Sequence, residues 1–253
     1  MRSARKIIPL LAAALILFSA VPLTRADPKV SETNVTETND TGTNDTGTNV
    51  PETNVTALPL QVDVEAAVLM DFTTGKVLFS KNPDRVIPPA SLTKLMTLHI
   101  LQKKIESGDI SENDVVDIPE EAYASRMPPR SSLMFLGPGQ RVTLLEIMKG
   151  LAVCSGNDAA VAAALYGGES VSDFVTLMNR EADRLGLPSL HFEDAAGLSA
   201  RNRITPLEFA RFCRIYVREH PQSLEKIHSL KQFTYPKNKN LPETDTAEGG
   251  GAI

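Results

Sequence analysis

The 253-residue sequence is poor in several features that mark particular protein classes. It holds only two cysteines, Cys154 and Cys213, which excludes a disulfide framework and reads as two small buried thiols. It has no His-Glu-x-x-His, no paired Cys-x-x-Cys and no Gly-x-Ser-x-Gly, so the signatures of zinc proteases, zinc ribbons and nucleophile-elbow hydrolases are all absent. The four histidines, His99, His191, His220 and His228, are scattered along the chain and read as structural. Positive charge is also scarce. Four of the 26 basic residues lie in the first 26 positions, and the remaining 22 face 31 acidic ones, a net charge of about −9 that argues against a nucleic-acid partner.

What is present begins with a targeting pattern. Arg2, Arg5 and Lys6 precede an apolar run from Ile7 to Leu23, and small residues at 24 and 26 follow. That order predicts a secretory signal peptide over 1–26, cleaved after Ala26, and hence a protein exported to the periplasm or cell envelope of a bacterium. Left uncleaved, the run would hold the chain at a membrane. No cysteine follows it, which argues against a lipid anchor. Residues 32–56 then repeat a five-residue Thr/Asn-rich unit with almost no apolar content, so 27–59 is expected to be an unfolded tether. Its four Asn-x-Thr sequons, at Asn34, Asn39, Asn44 and Asn54, read as plain polar spacer in a bacterium.

From about residue 60 the composition becomes globular. Residues 66–82 predict a hairpin around Thr73-Thr74-Gly75. Apolar residues from Leu92 to Ile105 recur at helical spacing. Thr143 and Glu146 form a capping box for a helix through Leu151, and Asn157 is expected to cap a second helix that stops at Gly167-Gly168. Ser172 is expected to cap a third, ending near Gly186, and Thr205-Pro206-x-Glu208 to open a fourth. The C-terminal LPETDTAEGGGAI carries no packing signal.

Ser-x-x-Lys occurs three times. Ser3 with Lys6 belongs to the targeting segment. Ser223 with Lys226 lies in a charged stretch after His220-Pro221 and reads as a helix cap with a solvated lysine. Ser91 with Lys94 differs. Pro88-Pro89 keep the preceding backbone extended, so a helix starts at or near Ser91. One turn of helix puts the Lys94 amine within reach of the Ser91 hydroxyl, and the free N–H groups of the helix start favour negative charge there. Leu92, Leu95 and Met96 would desolvate the amine, which is what a lysine needs to act as a base. On spacing alone, a capped amphipathic helix with a snorkelling lysine accounts for the pair better. Ser155-Gly156-Asn157 shifts the balance, because these polar residues sit at the turn between two apolar helices, where they can project into a cleft. The Ser155 hydroxyl can pass a proton, and the Asn157 amide can orient a peptide bond or simply cap its helix.

These residues resemble the serine-type D-Ala-D-Ala carboxypeptidases, the low-molecular-mass penicillin-binding proteins. The similarity covers about Ala66 to Tyr235 and includes DFTTGKVLFSKNPDRVIPPASLTKLMT, PGQRVTLLEIMKGLAVCSGNDAA, GGESVSDFVTLMNREADRLG and HFEDAAGLS. It implies an α/β (α+β) fold of the β-lactamase/transpeptidase type, with a helical region packed on an antiparallel sheet, in a catalytic domain over 60–253. It implies Ser91 as nucleophile, Lys94 as its base, Ser155 as proton donor to the leaving D-alanine, and Asn157 as the substrate-orienting residue. The implied partners are peptidoglycan stem peptides and β-lactams, and no metal or organic cofactor is implied.

The sequence departs from that family at one place. The family's Lys-Thr-Gly strand, which holds the substrate carboxylate and supplies an oxyanion donor, has no counterpart here. The resemblance fades after FTYPKNKN, so the chain reads as a version shortened before that strand, with a hairpin edge left unpaired and with weak activity or none. Two other readings follow. One is a serine β-lactamase, for which Glu193 and Asp194 are the available carboxylates. The other is a non-catalytic envelope protein that binds peptidoglycan.

Overall fold

In a computed structural model the structure describes residues 60–242, together with the backbone of a strand at 13–18. The expected tether, most of the expected signal segment and the C-terminal tail after 242 lie outside the described residues. The architecture is α+β, with a small antiparallel sheet packed beside a helical body.

The sheet order is β1 (Ala13–Phe18), β2 (Ala66–Asp71), β3 (Val77–Lys81). The β2–β3 turn closes where Asp71 accepts from the Thr74 N–H at 2.7 Å and Gly75 takes a positive φ of 78°. The edge of β2 that the sequence leaves unpaired is occupied. Ala13–Phe18 pairs antiparallel along it, Ala13 opposite Asp71 and Phe18 opposite Ala66. A run of six apolar residues suits a strand as well as an export signal, and periodicity does not separate the two.

Five helices form the body: α1 (Lys94–Ser107), α2 (Leu144–Val153), α3 (Asn157–Gly167), α4 (Val171–Arg184) and α5 (Pro206–Glu219). Alanine-rich α3 is buried on most sides, and its small side chains let α1, α2 and α4 approach closely. Phe174, Met96, Leu101, Ile147 and Phe212 fill the space around it, each fully buried and worth about 1.5–3 kcal/mol of transfer free energy. Val68 and Met70 of β2 pack on Ala210 of α5 in a separate cluster, and Arg214 clamps the hairpin by donating to the Phe72 and Thr73 carbonyls. A short ribbon of β4 (Val115–Asp117) and β5 (Arg141–Thr143) leads into α2 through the expected Thr143–Glu146 capping box.

Several local expectations are corrected. The α3 cap is Gly156, and Asn157 is already the first helical residue. The α4 cap is Ser170, whose hydroxyl accepts from the Asp173 N–H, because the helix already starts at Val171. Pro89 is helical, with φ −76° and ψ −13°, rather than extended. Ser223 is fully buried and donates to the His220 carbonyl, while Lys226 pairs with Glu112 at 2.9 Å. Two of the four histidines meet in space. His99 and His220 are both fully buried and 2.8 Å apart, in a chain from Glu106 through His220 and His99 to Glu181. That chain joins α1, α4 and the end of α5.

Candidate active site

The approach to Ser91 is pinned from both sides. Ile87 bridges Ile204 through two backbone hydrogen bonds of 2.9 and 3.0 Å. Ala90 then takes a positive φ of 48°, and Ala90–Thr93 form one 3-10 turn that runs directly into α1. Ser91 stays exposed on this turn, whereas Lys94, three residues on, is only 3 % exposed.

Lys94 Nζ has three neighbours: Asn157 Oδ1 at 2.8 Å, the Ala196 carbonyl at 2.7 Å and Ser91 Oγ at 3.2 Å. Two of these can only accept. A neutral amine has two N–H groups and one lone pair, so it gives its hydrogens to Asn157 and Ala196 and turns the lone pair toward the Ser91 hydroxyl. Burial pushes the Lys94 pKa down to about 8, while the charges of Asp194, Asp158 and Cys154 pull the other way. A neutral amine is therefore accessible near physiological pH, in the orientation a base needs.

Ser155 sits in the turn from α2 to α3 in a left-handed conformation, φ 55°, costing about 1–3 kcal/mol for a residue with a β-carbon. Its hydroxyl is buried and has no hydrogen-bond partner among the described residues. An orphaned buried hydroxyl on a strained backbone costs stability. Ser155, Ser91 and Lys94 all line one cavity of about 600 Å³, together with Leu92, Phe209 and Cys213. The four residues singled out in the sequence thus lie around one amine and one cavity.

Sequence reasoning missed the support beneath them. Both Asp158 oxygens accept backbone N–H groups of the 134–136 segment, at 2.8 Å from Met134 and 2.9 Å from Leu136, which ties that strap to α3. Asp194 accepts from four consecutive backbone N–H groups, Ala196 to Ser199, and from the Asn202 amide. The signal was an aspartate followed by a small-residue turn, Asp194-Ala-Ala-Gly, which is an Asx-turn pattern. With its oxygens so occupied, Asp194 cannot also activate a water, and Glu193 faces His191 and Arg201. This removes the support for a β-lactamase from these two carboxylates. The thiols are free, and burial raises both, Cys213 to about 12, so neither is a competing nucleophile. The His99, Glu219, His220 group brings ligand atoms within 4.8 Å of one another, but every ring nitrogen of the two histidines already has a hydrogen-bond partner in the protein.

Residues 52–247 match the D-alanyl-D-alanine carboxypeptidase family, peptidase S11. D-alanyl-D-alanine carboxypeptidase DacA of Escherichia coli is 37% identical over 178 residues, covering 69% of this chain and 44% of that protein. DacD of Salmonella typhimurium is 44% identical over 180 residues, 70% of this chain and 46% of that protein. Among solved structures, penicillin binding protein 5 from Haemophilus influenzae superposes with a TM-score of 0.68 at 34% identity, over 72% of this chain and 52% of that one. The chain thus spans somewhat less than half the length of these curated relatives. With the family match covering most of the sequence and the fold agreeing, the chain belongs to the D-alanyl-D-alanine carboxypeptidase family.

Proposed function

We propose that this chain carries the acylation machinery of a penicillin-binding serine carboxypeptidase that removes the terminal D-alanine from peptidoglycan stem peptides in the cell envelope. The observation that carries the reading is the buried Lys94 amine, oriented by two acceptors with Ser91 Oγ at its third position. Lys94 takes the Ser91 proton as Oγ attacks the carbonyl between the two D-alanines. The Ser91 N–H at the helix start faces the developing oxyanion. Asn157 orients the peptide, and the Ser155 hydroxyl, which has no partner among the described residues, hands a proton to the leaving amine and takes in return the one that Lys94 received, so that both groups are restored. D-alanine departs, an ester remains on Ser91, and water releases the shortened peptide. A β-lactam would acylate the same serine.

Export is supported by the order of basic, apolar and small residues at the N-terminus, and cleavage after Ala26 would remove β1 and free the edge of β2. No helix among the described residues is long and apolar enough to cross a membrane. A second reading is peptide binding without turnover. The test is D-alanine release from a peptide ending in D-Ala-D-Ala. Release that disappears in Ser91→Ala supports the proposal; binding of the peptide with no release supports the second reading.

A further inference from the structure

Lys94 is held from one side by a loop whose own fold depends on a single carboxylate. Asp194 Oδ1 accepts from the N–H groups of Ala196 at 2.7 Å, Gly197 at 2.6 Å and Leu198 at 3.1 Å. Oδ2 accepts from Ser199 N–H at 2.6 Å and from the Asn202 amide at 3.2 Å. The loop wrapped around it meets the start of α1 at four points. The Ala196 carbonyl accepts from Lys94 Nζ at 2.7 Å, and the Ala195 carbonyl accepts from the Thr97 hydroxyl at 2.7 Å. The fully buried Asn202 donates to the Thr93 hydroxyl at 3.3 Å, and Gly197 lies against the Ala90 carbonyl.

We propose that Asp194 is a positioning residue for Lys94: its carboxylate folds the loop that aims the Ala196 carbonyl at the amine, and its charge balances the ammonium form. The argument rests on the placement of charge as well as on hydrogen bonds. The groups that act on the Lys94 charge are Asp194 from this loop, Asp158 from α3 and Cys154 from the end of α2. His228 and Cys213 line the same cavity. Both carboxylates lie beside a group that hydrogen-bonds the amine, Asp158 next to Asn157 and Asp194 near Ala196, but only Asp194 folds a loop that aims a backbone carbonyl at it. Asp194 thereby contributes both to the direction of the lone pair, through the Ala196 carbonyl, and to the charge balance at the amine. This rests on the reading of Lys94 as the base of Ser91.

The two roles of Asp194 have opposite signs when it is neutralised. Loss of its charge makes the ammonium less favourable and lowers the midpoint of Lys94. A loop that merely loosens would let water reach the amine and raise it. The experiment is a 13C NMR titration of the full chain labelled at lysine Cε, with the Lys94 signal assigned by its loss in Lys94→Arg. Asp194→Asn removes the charge but turns an amide toward Ser199 N–H and Asn202. Asp194→Ser keeps an oxygen acceptor for the loop and has no such clash, so it reads the charge if the first variant does not fold. Asp194→Glu keeps the charge.

The expected result is a Lys94 midpoint about one unit lower in the two neutral variants, and close to the parent's in Asp194→Glu. An unchanged or raised midpoint in a folded neutral variant would overturn the proposal, as would a parent chain in which no lysine titrates apart from the bulk. Penicillin acylation is measured separately. A downward shift in a chain that penicillin does not label keeps the role of Asp194 and removes the proposed function. An unchanged midpoint in a chain that does label has the reverse meaning.

Discussion

A β-carbon built on Gly197 would lie 1.8 Å from the Ala90 carbonyl oxygen and 3.0 Å from the Ser91 nitrogen. The Asp194 loop and the turn that presents Ser91 are therefore in backbone contact, and only glycine fits there, at φ 86°. Gly197→Ala must push the two segments apart. The expected cost is about 2–4 kcal/mol of stability, from backbone overlap and a strained φ together. Penicillin labelling should fall in the fraction that remains folded. Urea denaturation and labelling of the same sample check both.

Ser155 should behave in the opposite way. Its hydroxyl has no partner among the described residues, so Ser155→Ala removes a buried polar group without breaking a hydrogen bond. Stability should be unchanged or higher, and Ser155→Gly, which also relieves the left-handed backbone, should gain about 1 kcal/mol. Acylation should drop by about a hundred- to ten-thousandfold, the range for loss of a proton-transfer group. A thermal melt beside a labelling rate separates the effects. A large loss of stability in Ser155→Ala would contradict the idea that this group is held ready for chemistry.

Both of these residues bear on how much was legible in the sequence. The contact of Lys94 with Ser91 was readable because one helical turn brings the two side chains together, whereas spacing alone did not single the pair out and the roles of Ser91, Lys94, Ser155 and Asn157 came from the family resemblance. The hairpin, the Thr143 and Thr205 caps and the end of α3 were readable for local reasons as well. What was not readable is contact between distant segments. Asp194 and Gly197 look like an ordinary surface turn until the fold brings the turn against Ala90 and Lys94. The pairing of His99 with His220 joins residues 121 apart. The pairing of Ala13–Phe18 with β2 was hidden because an apolar run carries no period to distinguish a strand from a targeting segment.

The lowered Lys94 pKa has two pH consequences. Acylation needs the neutral amine, so its rate should rise with pH through a midpoint near 8. For stability, the unfolded lysine at about 10.5 binds a proton that the folded one has lost above about 8. The unfolded state then holds more protons, so stability should rise with pH between about 8 and 10.5 and stay flat on either side. Lys94→Met should abolish that slope. Urea midpoints of both chains across the range give the difference directly.

Glu181 sets the acid limit in the same manner. Burial raises its pKa, but the Arg184 fork at 2.7 Å and the His99 hydrogen bond outweigh burial and bring it down to about 2. A lowered carboxylate stabilises above its unfolded value, so this contribution should be lost as pH falls from about 4.5 toward 2. Glu181→Ala leaves His99 and Arg184 without their acceptor and should cost about 3 kcal/mol at neutral pH. Acid denaturation of that variant should lack the step below pH 4.5.

The central claim is that Ser91 is a nucleophile activated by Lys94. Intact-protein mass spectrometry after incubation with benzylpenicillin tests it most directly. The account predicts a gain of one penicilloyl group, mapped to the peptide containing Ser91, faster at pH 9 than at pH 7 and absent in Ser91→Ala and Lys94→Met. An adduct that survives Ser91→Ala, or no adduct on the folded parent chain at any pH, would contradict it.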